Sequence, residues 1–256
     1  MDIKKTLICT DYDGTLSFEG IPKKNVAAIE RFMAAGGLFS LSTGRRGEEM
    51  LKHDVLPFVP NAPMVGLTGS QIYDVKNQAE LYHEFMDESW RELMEKLLYE
   101  YKDMRFFQIV CPEGPIDVTL PNEGALHAIK SATQVYKIVV IHEKSENPIP
   151  ESIKSLCKEF SFEVTSNGHS SFELTARGVS KGSAVKRLKK IVGAERLICV
   201  GDFYGDISMI KEADVGIAVG NAIDELKRVA DVVTVHAKDG AIAKIIDGLM
   251  EDQPTP

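Results

Sequence analysis

The feature that most constrains the fold is a change of rhythm along the chain. Short apolar runs alternate with helical patterns at both ends and give way to longer β-rich runs in the middle. Near the N-terminus, Thr6 to Thr10 reads as a strand and Lys24 to Ala35 as a helix with Val26, Ala27, Ile29 and Met33 on a broad apolar face. Gly36-Gly37 stops that helix, and Leu38 to Leu41 is a second strand. Strand, helix and strand within so few residues form a crossover unit, which implies a parallel sheet. Met64 to Leu67 adds a short strand after a proline-rich break. Beyond residue 180 the rhythm resumes, with helices at Ser183 to Val192, Ile207 to Ala213, Ala222 to Val229 and Gly240 to Met250. Strands at Arg196 to Val200, Val215 to Val219 and Val232 to Val235 alternate with them.

The middle has a different grammar. A strong helix over Asp87 to Tyr101 carries Trp90, Leu93, Met94, Leu97, Leu98 and Tyr101 at helical spacing. Around it lie strand-like runs at Met104 to Cys111, Ile116 to Leu120, Val135 to His142, Phe160 to Thr165 and Phe172 to Thr175, with a further helix at Glu151 to Glu159. The expectation is an α/β parallel-sheet core built from residues 1–78 and 177–256, with an α+β domain of antiparallel strands inserted at 79–176.

Composition limits the function classes. With 256 residues, of which 44% are hydrophobic, the chain can bury a sizeable core. A net charge of −8 argues against nucleic acid or anionic membranes as partners, because phosphate backbones are bound by clustered Lys and Arg. Four cysteines at 9, 111, 157 and 199 form no CxxC pair and read as buried small hydrophobes in a reducing compartment. No run of eighteen apolar residues and no signal-peptide pattern is present, so a soluble cytoplasmic protein is expected. Oligomeric state is not legible.

The chemistry sits where strands end. Leu7-Ile8-Cys9 runs into Asp11-Tyr12-Asp13-Gly14-Thr15, and carboxylates two apart on a strand would face one way, toward the crevice where open α/β sheets bind ligands. Ser42-Thr43-Gly44-Arg45 and Thr68-Gly69-Ser70 follow two other strands. A second acidic group, Gly201-Asp202-Phe203-Tyr204-Gly205-Asp206, follows a fourth. Asp11, Asp13, Asp202 and Asp206 are therefore expected to converge on one divalent cation, since crowded carboxylates repel unless a metal or shared proton holds them. Oxygen-only ligands select a hard ion, and Mg²⁺ suits a partly hydrated site that shares substrate phosphate. Lys181, at a helix start, supplies a compact positive charge, and Thr43 offers a hydroxyl. This is equipment for phosphoryl transfer, without the GxxxxGK[ST] run of a nucleotide P-loop.

The ordered set resembles the haloacid dehalogenase superfamily, and within it the Cof-like phosphatases. It comprises DxDGT at 11 to 15, TGR at 43 to 45, Lys-Gly at 181 to 182 and GDxxxD at 201 to 206. The resemblance implies a Rossmann-like core with an inserted α+β cap of the class II type B kind. It implies Asp11 as nucleophile, Asp13 as general acid and base, and Mg²⁺ held by Asp11, the Asp13 backbone carbonyl and Asp202, with Asp206 either ligating the metal or orienting its water. Thr43, with Gly44 and Arg45 beside it, and Lys181 would bind the phosphoryl oxygens. Asn221, which a plain N-cap explains physically, would on the resemblance hold the Asp202 loop beside the phosphate site. Arg45 either meets a second anionic group of the substrate or pairs with an acidic surface residue such as Glu48 or Glu49.

Two departures stand out: Gly205 where the group often has Asn, and Thr68-Gly69-Ser70 where it often has Asn-Gly-Ala. The implied substrate is a small phosphorylated metabolite such as a sugar phosphate, selected by a cap whose candidate contact loops are Cys111 to Pro115 and Ser166 to Ser171. The same equipment would serve a sugar phosphotransferase or mutase, or a non-catalytic phosphometabolite-binding protein. The scattered histidines 53, 83, 127, 142, 169 and 236 have no metal-ligand spacing.

Overall fold

A computed structural model describes residues 2–52, 55–143, 149–168 and 170–251. His53 and His169 lie outside the described residues. In chain order the elements are β1 (Thr6–Thr10), α1 (Lys23–Ala34), β2 (Leu38–Leu41), α2 (Gly47–Met50), β3 (Met64–Gly66), β4 (Gln71–Asp74), β5 (Ala79–His83), α3 (Trp90–Glu100), β6 (Met104–Cys111), β7 (Gly114–Thr119) and α4 (Ala125–Ser131). They continue with β8 (Lys137–His142), α5 (Glu151–Glu159), β9 (Glu163–Ser166), β10 (Ser171–Thr175), α6 (Lys181–Ile191), β11 (Arg196–Gly201), α7 (Ile207–Glu212), β12 (Val215–Ala218), α8 (Asp224–Lys227), β13 (Val232–Val233) and α9 (Ala241–Glu251).

The chain divides into two compact units, Met1–Tyr82 with Ser180–Pro256, and His83–Val179. The first is built on a parallel sheet of order β13-β12-β11-β1-β2. Its central strands β1 and β11 are buried on both faces, as the continuous apolar runs Leu7-Ile8-Cys9 and Leu197-Ile198-Cys199-Val200 require. The chain runs from β1 outward to β2 on one side, while β11, β12 and β13 extend from the other. The order therefore reverses between β1 and β11, and a ligand crevice forms at such a switch point.

Two expectations are corrected in this unit. The helix face toward the core is Asn25, Ala28, Ile29 and Phe32, whereas Ala27 is exposed and Val26 and Met33 are only partly covered. Asn25 is buried because its side-chain carbonyl accepts the Ala243 N–H in the first turn of α9, at 2.9 Å. The strand after Pro63 is also not a full member of the main sheet. β3 heads a three-stranded sheet β3-β4-β5 and meets the parallel sheet through a single Ser42–Val65 bridge. Strands β4 and β5 had no clear signal, and their pairing keeps residues 79–82 with the first unit.

The second unit is an antiparallel sheet of order β7-β6-β8-β10-β9. Phe107, Ile109, Ile138, Val140, Phe172 and Leu174 share one core with Trp90, Leu93 and Leu97 of α3, Ile129 of α4 and Ile153 and Cys157 of α5. The alternation along β6, β8 and β10 follows from the period of two, which sends every second residue to the helix-covered face. All four cysteines are buried, with no disulfide among them. Among the described residues, no helix is long and apolar enough to cross a membrane.

Candidate active site

β1 ends at Thr10, and Asp11 continues its line, with its N–H donating to the Val200 carbonyl at 2.9 Å. The chain then turns at once: Gly14 N–H donates to Ser17 O at 2.8 Å and Leu16 N–H to Asp11 O at 3.2 Å. Gly14 has φ +88°, and a Cβ there would stand 2.4 Å from an Asp202 carboxylate oxygen, so both its conformation and the space demand glycine. β11 delivers Asp202 just past Gly201, and a short 3₁₀ turn, Tyr204–Asp206, brings Asp206 back against it. Asp206 Oδ2 accepts the N–H groups of Asp202 and Phe203 at 2.9 and 3.1 Å, which fixes that loop.

Lys181 is the first residue of α6, capped by Ser180, whose Oγ accepts from Ser183 N–H in a reciprocal capping box. The helix start is held on two sides. Gly182 N–H donates to Ser208 Oγ at 3.0 Å, and Gly69 passes so close to Ser180 that a Cβ would lie 2.3 Å from its carbonyl oxygen. Leu67 and Thr68, at φ +50° and +60°, form the left-handed turn that permits this approach.

Lys181 Nζ donates to Asp11 Oδ1 and Asp206 Oδ1, both at 2.6 Å. Asp11, Asp202 and Asp206 each offer a carboxylate oxygen within 4.8 Å of the others. Burial pushes the Asp11 carboxyl well above its ordinary value, Asp206 and Asp202 add to the rise, and Lys181 opposes it. Asp202 is raised to about 6, first by burial and then by Asp206, against a hydrogen bond from Thr15. Burial alone would lower the Lys181 pKa, but Asp11 and Asp206 outweigh it and hold the ammonium protonated. Three crowded carboxylates share one ammonium, so the cluster is short of positive charge. Its donors are all oxygens, and a hard divalent cation fits them.

The four aspartates do not all converge. Asp13 is a surface residue whose carboxylate pairs with Arg45 in a fork, Nε to Oδ2 at 2.9 Å and Nη2 to Oδ1 at 2.6 Å. The reason is geometric: β1 has already ended, and the turn at Gly14 sends residue 13 out of the alternation that strand spacing assumes. In that fork Arg45 does pair with an acidic surface residue, Asp13, in place of the named examples Glu48 and Glu49. Thr43 is buried at the end of β2, with its N–H on Val65 O at 2.9 Å and its Oγ1 accepting from Arg45 N–H at 3.2 Å. Gly44 lies between them, partly covered.

Asn221 makes no N-cap, since Ile223 precedes α8. Its Nδ2 donates to Gly14 O at 2.8 Å and its Oδ1 accepts Ala237 N–H at 2.9 Å, so it ties the first acidic loop rather than the second. Thr15, quoted only as part of its motif, is fully buried and donates to Asp202 Oδ1 at 2.7 Å. Only the partner, which lies 187 residues away, reveals that task.

A family model described as haloacid dehalogenase-like hydrolase matches residues 8–112 and 119–246. The chain belongs to that family. Relatives that match along nearly the whole chain are named as phosphatases. The phosphatase YwpJ of Bacillus subtilis is 26% identical over 288 aligned positions, 95% of this chain and 99% of that protein. The 5-amino-6-(5-phospho-D-ribitylamino)uracil phosphatase YcsE of the same organism is 35% identical over 98 residues, which span only 38% of this chain and 39% of that protein. Among solved structures, SMU.1108c of Streptococcus mutans superposes with a TM-score of 0.80 at 19% identity, covering 96% of this chain and 99% of that one. The subclass IIB sugar phosphatase BT4131 superposes with a TM-score of 0.76 at 21% identity, covering 96% and 99%.

Proposed function

We propose that the protein hydrolyses phosphate monoesters of small metabolites, of the sugar-phosphate or phosphorylated-polyol class, with Mg²⁺ and through an aspartyl-phosphate on Asp11. The observation that carries the reading is the Lys181 ammonium lodged between Asp11 and Asp206, beside Asp202, at the carboxyl end of a parallel sheet. In this reading an Asp11 carboxylate oxygen attacks phosphorus and the bond from phosphorus to the leaving oxygen breaks. Asp13 gives its proton to that oxygen. Asp13 then takes a proton from water, whose oxygen attacks phosphorus, and phosphate leaves as the Asp11 carboxylate is restored.

Lys181 orients Asp11 and, with Thr43 and Gly44, meets phosphoryl oxygens, where fixed positive charge and donors stabilise developing negative charge. Asp11, the Asp13 backbone carbonyl, Asp202 and Asp206 would hold Mg²⁺. The chemistry it supplies there is neutralisation of charge that would otherwise set an anionic nucleophile against an anionic ester. The class of substrate is supported by relatives named for a phosphoribityl compound and for sugar phosphates.

The test is a panel of phosphorylated metabolites with Mg²⁺, run beside Asp11→Asn and a chelated sample. Asp11→Asn should lower turnover by at least about 10⁴-fold, the scale on which loss of a covalent nucleophile is felt. Phosphate release that survives either control overturns the mechanism. Phosphate delivered to a second sugar instead of water would identify a transferase.

A further inference from the structure

The fork between Arg45 and Asp13 joins two motifs that the sequence treats separately. Arg45 is fixed at its backbone, where its N–H donates to Thr43 Oγ1 at 3.2 Å and its carbonyl accepts Leu67 N–H at 2.9 Å. Its guanidinium crosses the Tyr12 ring at 5.0 Å from the centroid. That ring is buried, and its hydroxyl donates to Val55 O at 3.0 Å, so the cation lies on a rigid platform. From there both donors reach Asp13, for which Arg45 is the only ion-pair partner among the described residues.

The side chains are 45% and 59% exposed, and an ion pair so open to water contributes little to stability. Its geometric effect is larger. A carboxylate at a loop position samples several rotamers, whereas a two-point fork from a planar guanidinium sets both the direction and the plane of the group. Each Asp13 oxygen spends one lone pair on the fork and keeps another for a further partner.

The geometry points to Arg45 as a positioning residue that aims the Asp13 carboxyl at the leaving-group oxygen. This rests on the acid–base reading of Asp13 above. Arg45 acts through Asp13, and the bond-making and bond-breaking steps are those already described.

The readout is leaving-group dependence. p-Nitrophenolate departs without a proton, whereas a primary alkoxide needs one. Values of kcat/KM are compared for p-nitrophenyl phosphate and for a primary alkyl phosphate taken from the turnover panel. Arg45→Met should lower the alkyl value by about tenfold or more and the aryl value by less than about threefold, since misaimed acid catalysis is felt only where a proton is required. Arg45→Lys should not rescue the alkyl ester, because an ammonium keeps the charge and loses the fork. Adding Arg45→Met to Asp13→Asn should slow the alkyl ester no further than Asp13→Asn alone.

Equal losses on both esters through KM would make Arg45 a substrate contact and overturn the inference, as would rescue by Lys or no change on either ester. Asp13→Asn separates the two levels. If it shows no leaving-group dependence, the acid–base reading itself falls and the inference with it. If it does while Arg45→Met affects both esters alike, only the inference falls.

Discussion

Each unit of the molecule buries a lysine against carboxylate, and the two arrangements differ in their charge balance. In the second unit Lys137 of β8 meets Glu173 of β10 at 2.8 Å, with side chains only 4% and 6% exposed. Asn167 donates to the same Glu173 oxygen at 3.1 Å. The lysine meets a carboxylate that a neutral donor also helps satisfy. In the first unit Lys181 is equally deep, but it faces Asp11 and Asp206 at once with Asp202 alongside. The first arrangement sets an ammonium against a carboxylate, whereas the second sets one ammonium among three carboxylates. A buried ion pair is therefore weak evidence for function by itself; the imbalance is what marks the site.

Removing either lysine breaks this comparison most sharply. Lys137→Met should cost about 3–5 kcal/mol of stability, the usual penalty for stranding a buried charge, with turnover per folded molecule held within about threefold. Lys181→Met should instead lower kcat by about 10²- to 10³-fold, the scale of losing one preorganised charge at a transition state. Denaturant unfolding and phosphate release, measured on both variants, check the pair. Matching losses of turnover in the two would end the distinction between a structural and a functional lysine.

A smaller effect is expected at Thr15. Thr15→Val keeps the shape and removes the donor to Asp202, and metal affinity should fall by about tenfold, as it does when a group orienting a metal ligand is lost. Titration calorimetry with Mg²⁺ measures it directly.

The smallest effect is a slope. In the metal-free protein the Asp202 carboxyl is raised to about 6 from an ordinary 3.8, so between those values the folded state holds a proton that the unfolded state has lost. Its contribution to stability is complete below the lower value and disappears as pH rises through the upper one. Metal-free stability should therefore decline from pH 4 to 6, and Asp202→Asn should flatten that decline, as thermal unfolding across that range would record.

Much of this was legible in advance for identifiable reasons. Apolar runs such as Leu7-Ile8-Cys9 and Ile198-Cys199-Val200 announce strands buried on both faces, and helix α5 matched its periodicity from Glu151 to Glu159. What was hidden depended on partners distant in sequence. Asn25 is polar yet central because it caps a helix 218 residues later. Asn221 looked like a local cap and instead holds Gly14 and Ala237. Asp13 shared a motif with Asp11, but the turn at Gly14 separated their environments, one buried against Lys181 and one exposed on Arg45.

The sequence by itself determined the chemistry on offer: carboxylates and one threonine, each placed after an apolar strand of a parallel sheet, and one lysine at a helix start. Strand order, register and the close approaches at Gly14, Gly69 and Gly201 were decided only by the tertiary structure. Periodicity reports which face of an element is buried, and it is silent about what lies opposite. The charge of a cluster, and hence its need for a cation, is a property of what lies opposite.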